Sequence, residues 1–436
     1  MGLRAAAPSG RRESCPDPTP SGGRESCPDP TPAGGRESWR YVDCGAVDAF
    51  ENAAQLPVLI RSMVERNQPL VMTSIWGATH LNVGWFDDVD STLDLDACRR
   101  LGVQVVRRQL YGGGTAFYDK GCSVMWTFLV PREGHGDLDG ELARFQPVVL
   151  GVLSRLGLGE VGFEGSSDLR VNGRKLGALA AQDVMVCMSI GGFLNVAPPD
   201  VDLYLQVARV PDEKFKDKVV KDLREYLFTA EQVRGRPLGY EEFREAFRAA
   251  LVEAGIDAVE EPLGEEERRG VAKIASKLSG EDRVRRVSSE RFVAAAPPES
   301  LVGFANFKGR KLCRAGVAID PAGMIVKAML AGDMHVSPPD VIDRAAAALV
   351  GARVGRPVLP DSRPGRITVE GPRVEASERI LGGLPPEVVE DLRCRLAGVF
   401  EAPDVNQAEV AMGITTADLL AAVVGAVLAA AGASND

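Results

Sequence analysis

The chain has 436 residues, of which 45% are hydrophobic and 26% charged, and its 61 acidic and 51 basic side chains give a formal net charge of -10. This acidic balance argues against a general attraction to nucleic acids or anionic membranes, so we expect neither among its partners. The longest apolar run, residues 419–431, is shorter than the roughly 20 residues of a membrane span. At about 150 residues per domain, the length predicts two or three domains.

Histidine and cysteine are too scattered in the sequence to predict a metal site. The histidines are His80, His135 and His335, and the eight cysteines include no Cys-x-x-Cys pair. Because these spacings do not match those of zinc ligands, we expect the protein itself to supply no metal-binding cluster. The lack of such a pair and of a secretory signal predicts a reducing, cytoplasmic location.

The first 38 residues contain a twelve-residue repeat. Arg12–Thr19 recurs as Arg24–Thr31, and a third unit begins at Arg36. Segments this rich in proline, glycine and serine bury little apolar surface. We therefore predict that residues 1–38 form a disordered tail, and we assign it no function.

From Trp39 onward the pattern becomes that of a folded protein. Helical spacing of apolar residues predicts helices over 46–66, 138–156, 240–254 and 265–278. Runs typical of strands lie at 70–76, 103–106, 124–130, 169–171, 175–176, 184–188 and 193–196. Because these strands and helices do not alternate regularly, they indicate an α+β fold rather than a doubly wound sheet. We predict that this first module spans residues 39–295.

A second, smaller α+β module is predicted over residues 300–436, after a linker at Pro297-Pro298. Two strands, 314–318 and 324–330, flank a turn at residues 320–323, and a helix follows from Ser337 to about Val350. Thr415-Thr416 is typical of the start of a helix, which would end near Gly432.

One glycine-rich segment has the composition of an anion-binding loop. Gly112, Gly113 and Gly114 follow Arg107 and Arg108, and the segment lies between two predicted strands. Glycines let backbone N–H groups approach an anion, and arginines add fixed positive charge. The pattern fits a nucleotide phosphate or an acyl phosphate, although a flexible turn explains three glycines as well.

A second segment, residues 166–180, predicts a tight hairpin. Asn172-Gly173 joins two short strands, and Lys175 lies just after the turn. A lysine bordered by apolar residues must find an anion or reach solvent. On spacing alone, however, a lysine in this position is most often a solvated surface residue.

Together these two segments resemble the lipoate-protein ligases of the biotin and lipoate ligase superfamily. The order of an arginine pair, three glycines and Asp119, followed by Asp168 and Lys175, is similar to that of the family. Residues 39–41, 51–53 and 208–218 resemble the family's opening and the segment after its hairpin. Residues 308–312, 332–334 and 412–419 are similar to parts of its C-terminal accessory domain.

The resemblance implies a mixed-sheet catalytic domain with a smaller accessory domain, and an enzyme that uses ATP, lipoate and Mg²⁺. Lipoate would be activated to lipoyl-AMP and transferred to a lysine of a lipoyl carrier domain, as in the E2 subunits of 2-oxoacid dehydrogenases or the glycine cleavage H protein. Lys175 is implied as the catalytic residue. Three residues separate Arg107-Arg108 from the glycines where the family has two, so the choice between these arginines stays open. The residues implied to bind ATP and lipoyl-AMP are Arg107, Arg108, Gly112, Gly113, Gly114, Thr115, Ala116, Phe117, Asp119, Asp168 and Lys175.

Two alternatives remain. An octanoyl or lipoyl transferase would have the same fold but pass the acyl group from an acyl carrier through a cysteine without ATP, and Cys122 and Cys187 are candidates for that cysteine. Related transferases place the cysteine shortly before the hairpin, where this chain has Gly162-Phe163. A non-catalytic paralogue that binds a carrier is the other alternative, against which the retained Lys175 argues.

Overall fold

The computed structural model describes residues 38–109, 113–132, 136–165, 167–184, 186–209, 227–309, 311–355, 365–369, 378–407 and 414–432. The predicted N-terminal tail lies outside these stretches except for Ser38. Other residues that contributed to the sequence predictions also lie outside these stretches, namely Gly112, His135, most of the segment 208–218 and residues 412–413.

Helices and strands mix along the described chain. The strands are β1 (Ser38–Val47), β2 (Leu70–Trp76), β3 (His80–Val83), β4 (Gln104–Arg107), β5 (Ala116–Tyr118), β6 (Ser123–Pro131), β7 (Gly162–Glu164), β8 (Asp168–Val171), β9 (Arg174–Asp183), β10 (Cys187–Asn195), β11 (Asp257–Glu260), β12 (Leu301–Lys308), β13 (Leu312–Ile319), β14 (Ile325–Gly332), β15 (Val336–Ser337), β16 (Gly365–Val369) and β17 (Asn406–Gln407). The helices are α1 (Ala49–Arg66), α2 (Val89–Thr92), α3 (Leu95–Leu101), α4 (Leu138–Arg155), α5 (Val201–Val207), α6 (Ala230–Arg234), α7 (Tyr240–Glu253), α8 (Glu265–Leu278), α9 (Glu281–Val284), α10 (Ser289–Ala294), α11 (Val341–Leu349), α12 (Pro386–Phe400) and α13 (Thr416–Ala430).

The largest sheet has eight strands in the order β11-β1-β2-β6-β10-β9-β8-β7. Its pairings are antiparallel except for β11 with β1 and β1 with β2, so the sheet is mixed. One face packs against α4 and α7 and forms a hydrophobic core. Within that core the ring of Phe128 stacks on Phe145, with 4.3 Å between the ring centroids, and also on Phe247 at 5.8 Å. These helices and strands confirm the predicted α+β class.

The opposite face of the same sheet is partly covered by α1 and by a small sheet of order β4-β3-β5, whose Tyr118 packs on Trp76 of β2. The helix α1 begins at Ala49 because Asp48 caps it, with Glu51 completing a capping box. Since side chains alternate across a strand, residues two apart on β9 share a face, and Ala178, Ala180 and Gln182 lie on this one. This second face carries the cavity described below.

A separate four-stranded sheet, β14-β13-β12-β16, packs against α11 and α13. Glycine allows close approach here, because a Cβ atom built on Gly303 of β12 would lie 2.1 Å from the backbone oxygen of Ala426 in α13. Thr415 caps α13, as predicted, and its side chain accepts a hydrogen bond from the backbone N–H of Asp418. The second sheet begins at Leu301, but residues 37–436 form one compact unit, so the division at 295–300 stays a prediction.

The loop after β3 joins the two sheets. Phe86 is fully buried in the hydrophobic core of the C-terminal sheet, and Trp85 packs against the same core. The backbone oxygen of Phe86 accepts a hydrogen bond of 3.1 Å from the N–H of Gly332, and the indole N–H of Trp85 donates to the oxygen of Pro339 at 3.3 Å. A residue from the first half of the chain thus completes the core of the second half.

Many of the predicted elements are confirmed. The strand over 70–76 and the helix over 265–278 have the predicted bounds, and Asn172-Gly173 forms a tight turn with positive φ values of 50° and 74°. The predicted strand at 184–188 is wrong in its first part, because Val184 and Val186 lie outside both β9 and β10. The short strands predicted around 175–176 and 193–196 belong to strands of ten and nine residues, whose alanines and glycines hid their length.

We predict that Phe86→Ala lowers the free energy of unfolding by about 3–5 kcal/mol, because it leaves a cavity in a core that Phe86 fills completely. Urea unfolding followed by circular dichroism measures this. Leu205→Ala is the control, since Leu205 is 54% exposed and its loss is expected to cost less than about 0.5 kcal/mol. A cost below about 1 kcal/mol for Phe86→Ala would contradict its role as the shared core residue.

Candidate active site

A cavity of about 620 Å³ lies on the second face of the large sheet. Its floor is formed by rows of residues that face each other across four strands. One row contains Ala178, Phe193, Met125 and Ser74, and the next contains Ala180, Gly191, Thr127 and Met72. Asn52 and Leu56 of α1 line the cavity as well. The floor therefore has small side chains at Ala178, Ala180 and Gly191, and larger ones at Phe193 and Met125.

Lys175 and Asp168 lie at one end of this floor, as a pair across the predicted hairpin. The ammonium of Lys175 is 2.7 Å from Asp168 Oδ1, and the guanidinium of Arg170 donates to Asp168 Oδ2 at 2.9 Å. Burial acts to raise the pKa of Asp168, but the charges and hydrogen bonds of Lys175 and Arg170 outweigh it and lower that pKa. Asp168 therefore stays ionised and holds both cations at the cavity.

The glycine turn forms another wall. Gly113 has a positive φ of 74°, a backbone conformation that favours glycine, and a Cβ atom there would lie 2.1 Å from Nη1 of Arg108. Arg108 donates to the backbone oxygen of Gly114 at 3.0 Å. The N–H of Gly113 donates to the backbone oxygen of Met334 at 3.1 Å. Gly113, Gly114 and Arg108 all line the cavity together with Lys175 and Asp168.

Arg107 has a different environment from Arg108. It is 2% exposed and does not line the cavity. Its guanidinium donates to six backbone oxygens, which belong to Gly84, Trp85, Asp87, Arg283, Val284 and Val287. Burial lowers its pKa to about 10, which leaves it charged at neutral pH. Of the two arginines left open by the sequence, Arg108 is the one at the cavity.

The remaining predicted site residues divide in the same way. Thr115 and Ala116 line the cavity, and the hydroxyl of Thr115 donates to Asp87 Oδ2 at 2.7 Å. Phe117 packs on Tyr204, with 5.4 Å between the ring centroids, and does not line the cavity. Asp119 also lies outside the lining and accepts a hydrogen bond of 3.0 Å from the N–H of Asp200, so it organises a loop junction.

The C-terminal half of the chain supplies part of the cavity wall, which the sequence analysis missed. Lys308, Lys311, Asp333 and His335 line the cavity. The ammonium of Lys311 is 3.1 Å from Asp333 Oδ2, and a Cβ atom on Gly114 would lie 3.2 Å from the carboxyl carbon of Asp333. The sequence showed these lysines and the aspartate only as points of family resemblance. Nothing in their spacing indicated that they face the glycine turn.

His335 is nearly buried, at 7% exposure, and its Nδ1 has no hydrogen-bond partner among the described residues. Burial lowers its pKa to about 4, against the opposing effect of Asp333, so its ring is neutral at physiological pH. It can accept or donate a hydrogen bond there, but it adds no charge to the cavity.

The charges at the cavity favour an anionic ligand. Among the described lining residues, five side chains are cationic and two are carboxylates. The cations are Arg108, Arg170, Lys175, Lys308 and Lys311, and the carboxylates are Asp168 and Asp333. No group of three or more histidine, cysteine, aspartate or glutamate side chains within the described residues could hold a metal ion.

The two cysteines proposed from the sequence as acyl carriers do not line the cavity. Both are buried, and burial raises the pKa of Cys122 to about 11 and that of Cys187 to about 12. Because the thiolate is the nucleophilic form, neither cysteine is activated at neutral pH. The described lining contains no cysteine at all.

The fold is that of the biotin and lipoate ligases. LipL1 of P. falciparum, solved in complex with lipoate, superposes with a TM-score of 0.53 over 71% of this chain and 88% of that chain, at 13% sequence identity. At the level of sequence, the family model of the lipoyl protein ligase A/B catalytic domain matches residues 48–252. That part of the chain is similar to this family.

Curated relatives have two different activities in their names. The chain is 26% identical to the octanoyltransferase LipM of Geobacillus kaustophilus over 267 residues, which cover 54% of this chain and 94% of the relative. It is 28% identical to lipoate-protein ligase 2 of Staphylococcus aureus over 204 residues, which cover 42% of this chain and 57% of the relative. These relatives therefore include both ligases and acyltransferases.

None of the described helices is long and apolar enough to span a membrane.

We predict that the two neighbouring arginines contribute very differently to stability. Arg107→Met is expected to lower the free energy of unfolding by at least about 3 kcal/mol, because buried backbone oxygens lose their donors. Arg108→Met, at a partly exposed position, is expected to cost less than about 1 kcal/mol. Urea unfolding of both variants measures the difference. Equal losses would contradict the assignment of Arg107 to structure and Arg108 to the cavity.

Proposed function

We propose that the protein is a lipoate-protein ligase, which activates lipoate with ATP and transfers the lipoyl group to a lysine of a lipoyl carrier domain. The observation that supports this most is the convergence of five cations on one cavity. Lys175 and Arg170 come from the hairpin, Arg108 from the glycine turn, and Lys308 and Lys311 from the C-terminal half. A triphosphate and a carboxylate together bring a large negative charge, which such a cavity fits.

In the first step the lipoate carboxylate attacks the α-phosphorus of ATP, and the bond to the leaving pyrophosphate breaks. A carboxylic acid with a pKa near 4 is already ionised, so no base is needed. Two anions must instead be brought together, and their repulsion must be neutralised as charge moves toward the pyrophosphate. Lys175 can hold the carboxylate against the phosphate, because Asp168 fixes its ammonium at 2.7 Å.

In the second step a lysine amine of the carrier attacks the acyl carbon of lipoyl-AMP, and AMP leaves. The amine has a reference pKa near 10.4 and must lose a proton before or during the attack. His335 is neutral, but burial keeps its pKa near 4, which makes it a weak base for this proton. The proposed carriers are the lipoyl domains of 2-oxoacid dehydrogenase E2 subunits and the glycine cleavage H protein.

Mg²⁺ is proposed to enter with the nucleotide. The cavity carboxylates, Asp168 and Asp333, are each paired with a lysine at 2.7 and 3.1 Å. Magnesium keeps several waters and commonly binds through one or two carboxylates and the phosphates of a substrate. The residues present thus fit an ion that is held mainly by ATP.

The second candidate function is an octanoyltransferase that works without ATP. It is favoured by the similarity to LipM of Geobacillus kaustophilus, 94% of which is covered by the match. The described cavity lining, however, lacks the cysteine that such a reaction would use. The cationic groups from the C-terminal half also have no evident role in a reaction without nucleotide.

Lys175→Ala is predicted to reduce lipoate-dependent release of pyrophosphate from ATP by about 100-fold or more, the usual effect of removing a group that stabilises transition-state charge. Lys273→Ala, on the exposed face of α8, is the matched control and is expected to retain full activity. Pyrophosphate release is measured for both variants, with thermal unfolding to show that each is folded. Full activity of Lys175→Ala would remove this residue from the proposed role.

A second experiment separates the ligase from the transferase. We expect an apo lipoyl domain to be modified when lipoate and ATP are supplied, and not when octanoyl-acyl carrier protein is supplied without ATP. Mass spectrometry of the lipoyl domain measures both reactions. Labelling from the acyl carrier protein that is lost in Cys122→Ser or Cys187→Ser would establish the transferase instead. Labelling in neither reaction would favour a non-catalytic carrier-binding protein.

A further inference from the structure

We propose that Gln182 selects the acid that enters the cavity, by favouring an acyl chain with a hydrogen-bond acceptor near its far end over a plain alkyl chain. This inference rests on the proposed function and takes the cavity floor as the place where the acyl group lies. It adds a specificity residue at the end of that floor opposite Lys175.

The floor has a direction that follows β9. Lys175 lies near the beginning of the strand, and Ala178, Ala180 and Gln182 follow on the cavity side. At about 3.3 Å per residue, the distance from Ala178 to Gln182 is about 13 Å, which accommodates a medium-chain acid. A carboxylate held by Lys175 thus directs the chain over small alanine side chains toward Gln182.

Gln182 ends this floor with a buried amide. It is 8% exposed, lines the cavity, and its Nε2 has no hydrogen-bond partner among the described residues. Directly across the strand pair lies Ser189, which is 3% exposed and also lines the cavity. The next residues in that row are Leu129 and Leu70, which belong to a hydrophobic cluster and close the floor on that side. The polar end of the floor is therefore confined to Gln182 and Ser189.

A buried amide donor without a partner is unfavourable for folding by about 1–3 kcal/mol, and an apolar residue of similar shape would avoid this loss. Stability alone thus favours methionine or leucine at position 182. A ligand that accepts a hydrogen bond from the amide supplies the missing partner. The same amide opposes a hydrocarbon end, because the chain would cover the donor without bonding to it.

This argument defines a chemical class of acid. A terminal hydroxyl or carbonyl is a full acceptor, and the sulfur of a dithiolane ring is a weak one. An alkyl end has none. We therefore expect the affinity to fall in the order ω-hydroxy acid, lipoate, octanoate for acids of equal chain length.

Direct binding without ATP tests this order. Isothermal titration is carried out with 8-hydroxyoctanoate, lipoate and octanoate on the full-length protein. For the wild type we expect 8-hydroxyoctanoate to bind at least about tenfold more tightly than octanoate, with lipoate between them. In Gln182→Met we expect this preference to fall to less than about twofold, with thermal stability unchanged or increased.

Gln55→Met provides the matched control. Gln55 is also a buried glutamine, at 4% exposure, and its Oε1 has no partner among the described residues, but it does not line the cavity. The control should keep the wild-type preference. Equal affinities of the wild type for 8-hydroxyoctanoate and octanoate, an unchanged preference in Gln182→Met, or no binding of any of the acids would each overturn the inference. The titration contains no ATP, so its result does not depend on the ligase reaction. If the protein binds these acids selectively but releases no pyrophosphate when ATP is added, the ligase reaction is rejected and the inference stands.

Discussion

The arrangement of the site depends on the buried guanidinium of Arg107. Its hydrogen bonds to backbone oxygens at residues 84–87 and 283–287 fix the loop after β3 against the segment that follows α8. That loop carries Phe86 into the C-terminal core, and Asp87 accepts the hydroxyl of Thr115 beside the glycine turn. One charged group, fully satisfied by backbone acceptors, thus sets where the two sheets meet. The cavity lies at this junction.

The cavity has a charged part and a floor lined by small side chains. Its charged part gathers cations from three distant segments, and each of its two carboxylates is engaged by a lysine. Its floor is the face of a sheet in which Ala178, Ala180 and Gly191 leave room above the strands. A molecule with an anionic head and a slender tail matches both parts. The opposite face of the same strands is filled by aromatic side chains, so the sheet is rigid beneath the floor.

How much could be predicted from the sequence differs between the fold and the site. Local signals were sufficient for α1, the Asn172-Gly173 turn and the N-cap at Thr415, because each depends on neighbours within a few residues. They placed Lys175 just after that turn, but only the family resemblance proposed it as a site residue together with Asp168, on the adjacent strand of the hairpin. The roles of Arg107 and Arg108 could not be separated, since both follow the predicted strand 103–106 and only tertiary contacts distinguish them. Lys311 and Asp333 were missed for the same reason. They are far from the glycines in sequence, and tertiary contacts such as the packing of Phe86 in the C-terminal core bring them close in space.

The position of Phe86 also bears on how such a chain can be divided. A cut between the sheets at residues 295–300 would leave the C-terminal sheet without a side chain that fills its core, and would expose that side chain on the other fragment. The loop after β3 therefore belongs to the C-terminal sheet by packing and to the first half by chain order. Transplanting the C-terminal sheet onto another catalytic domain would require a host loop that offers an aromatic side chain at the same place. The need for this aromatic side chain, more than the linker at residues 295–300, therefore limits how the C-terminal sheet can be exchanged between proteins.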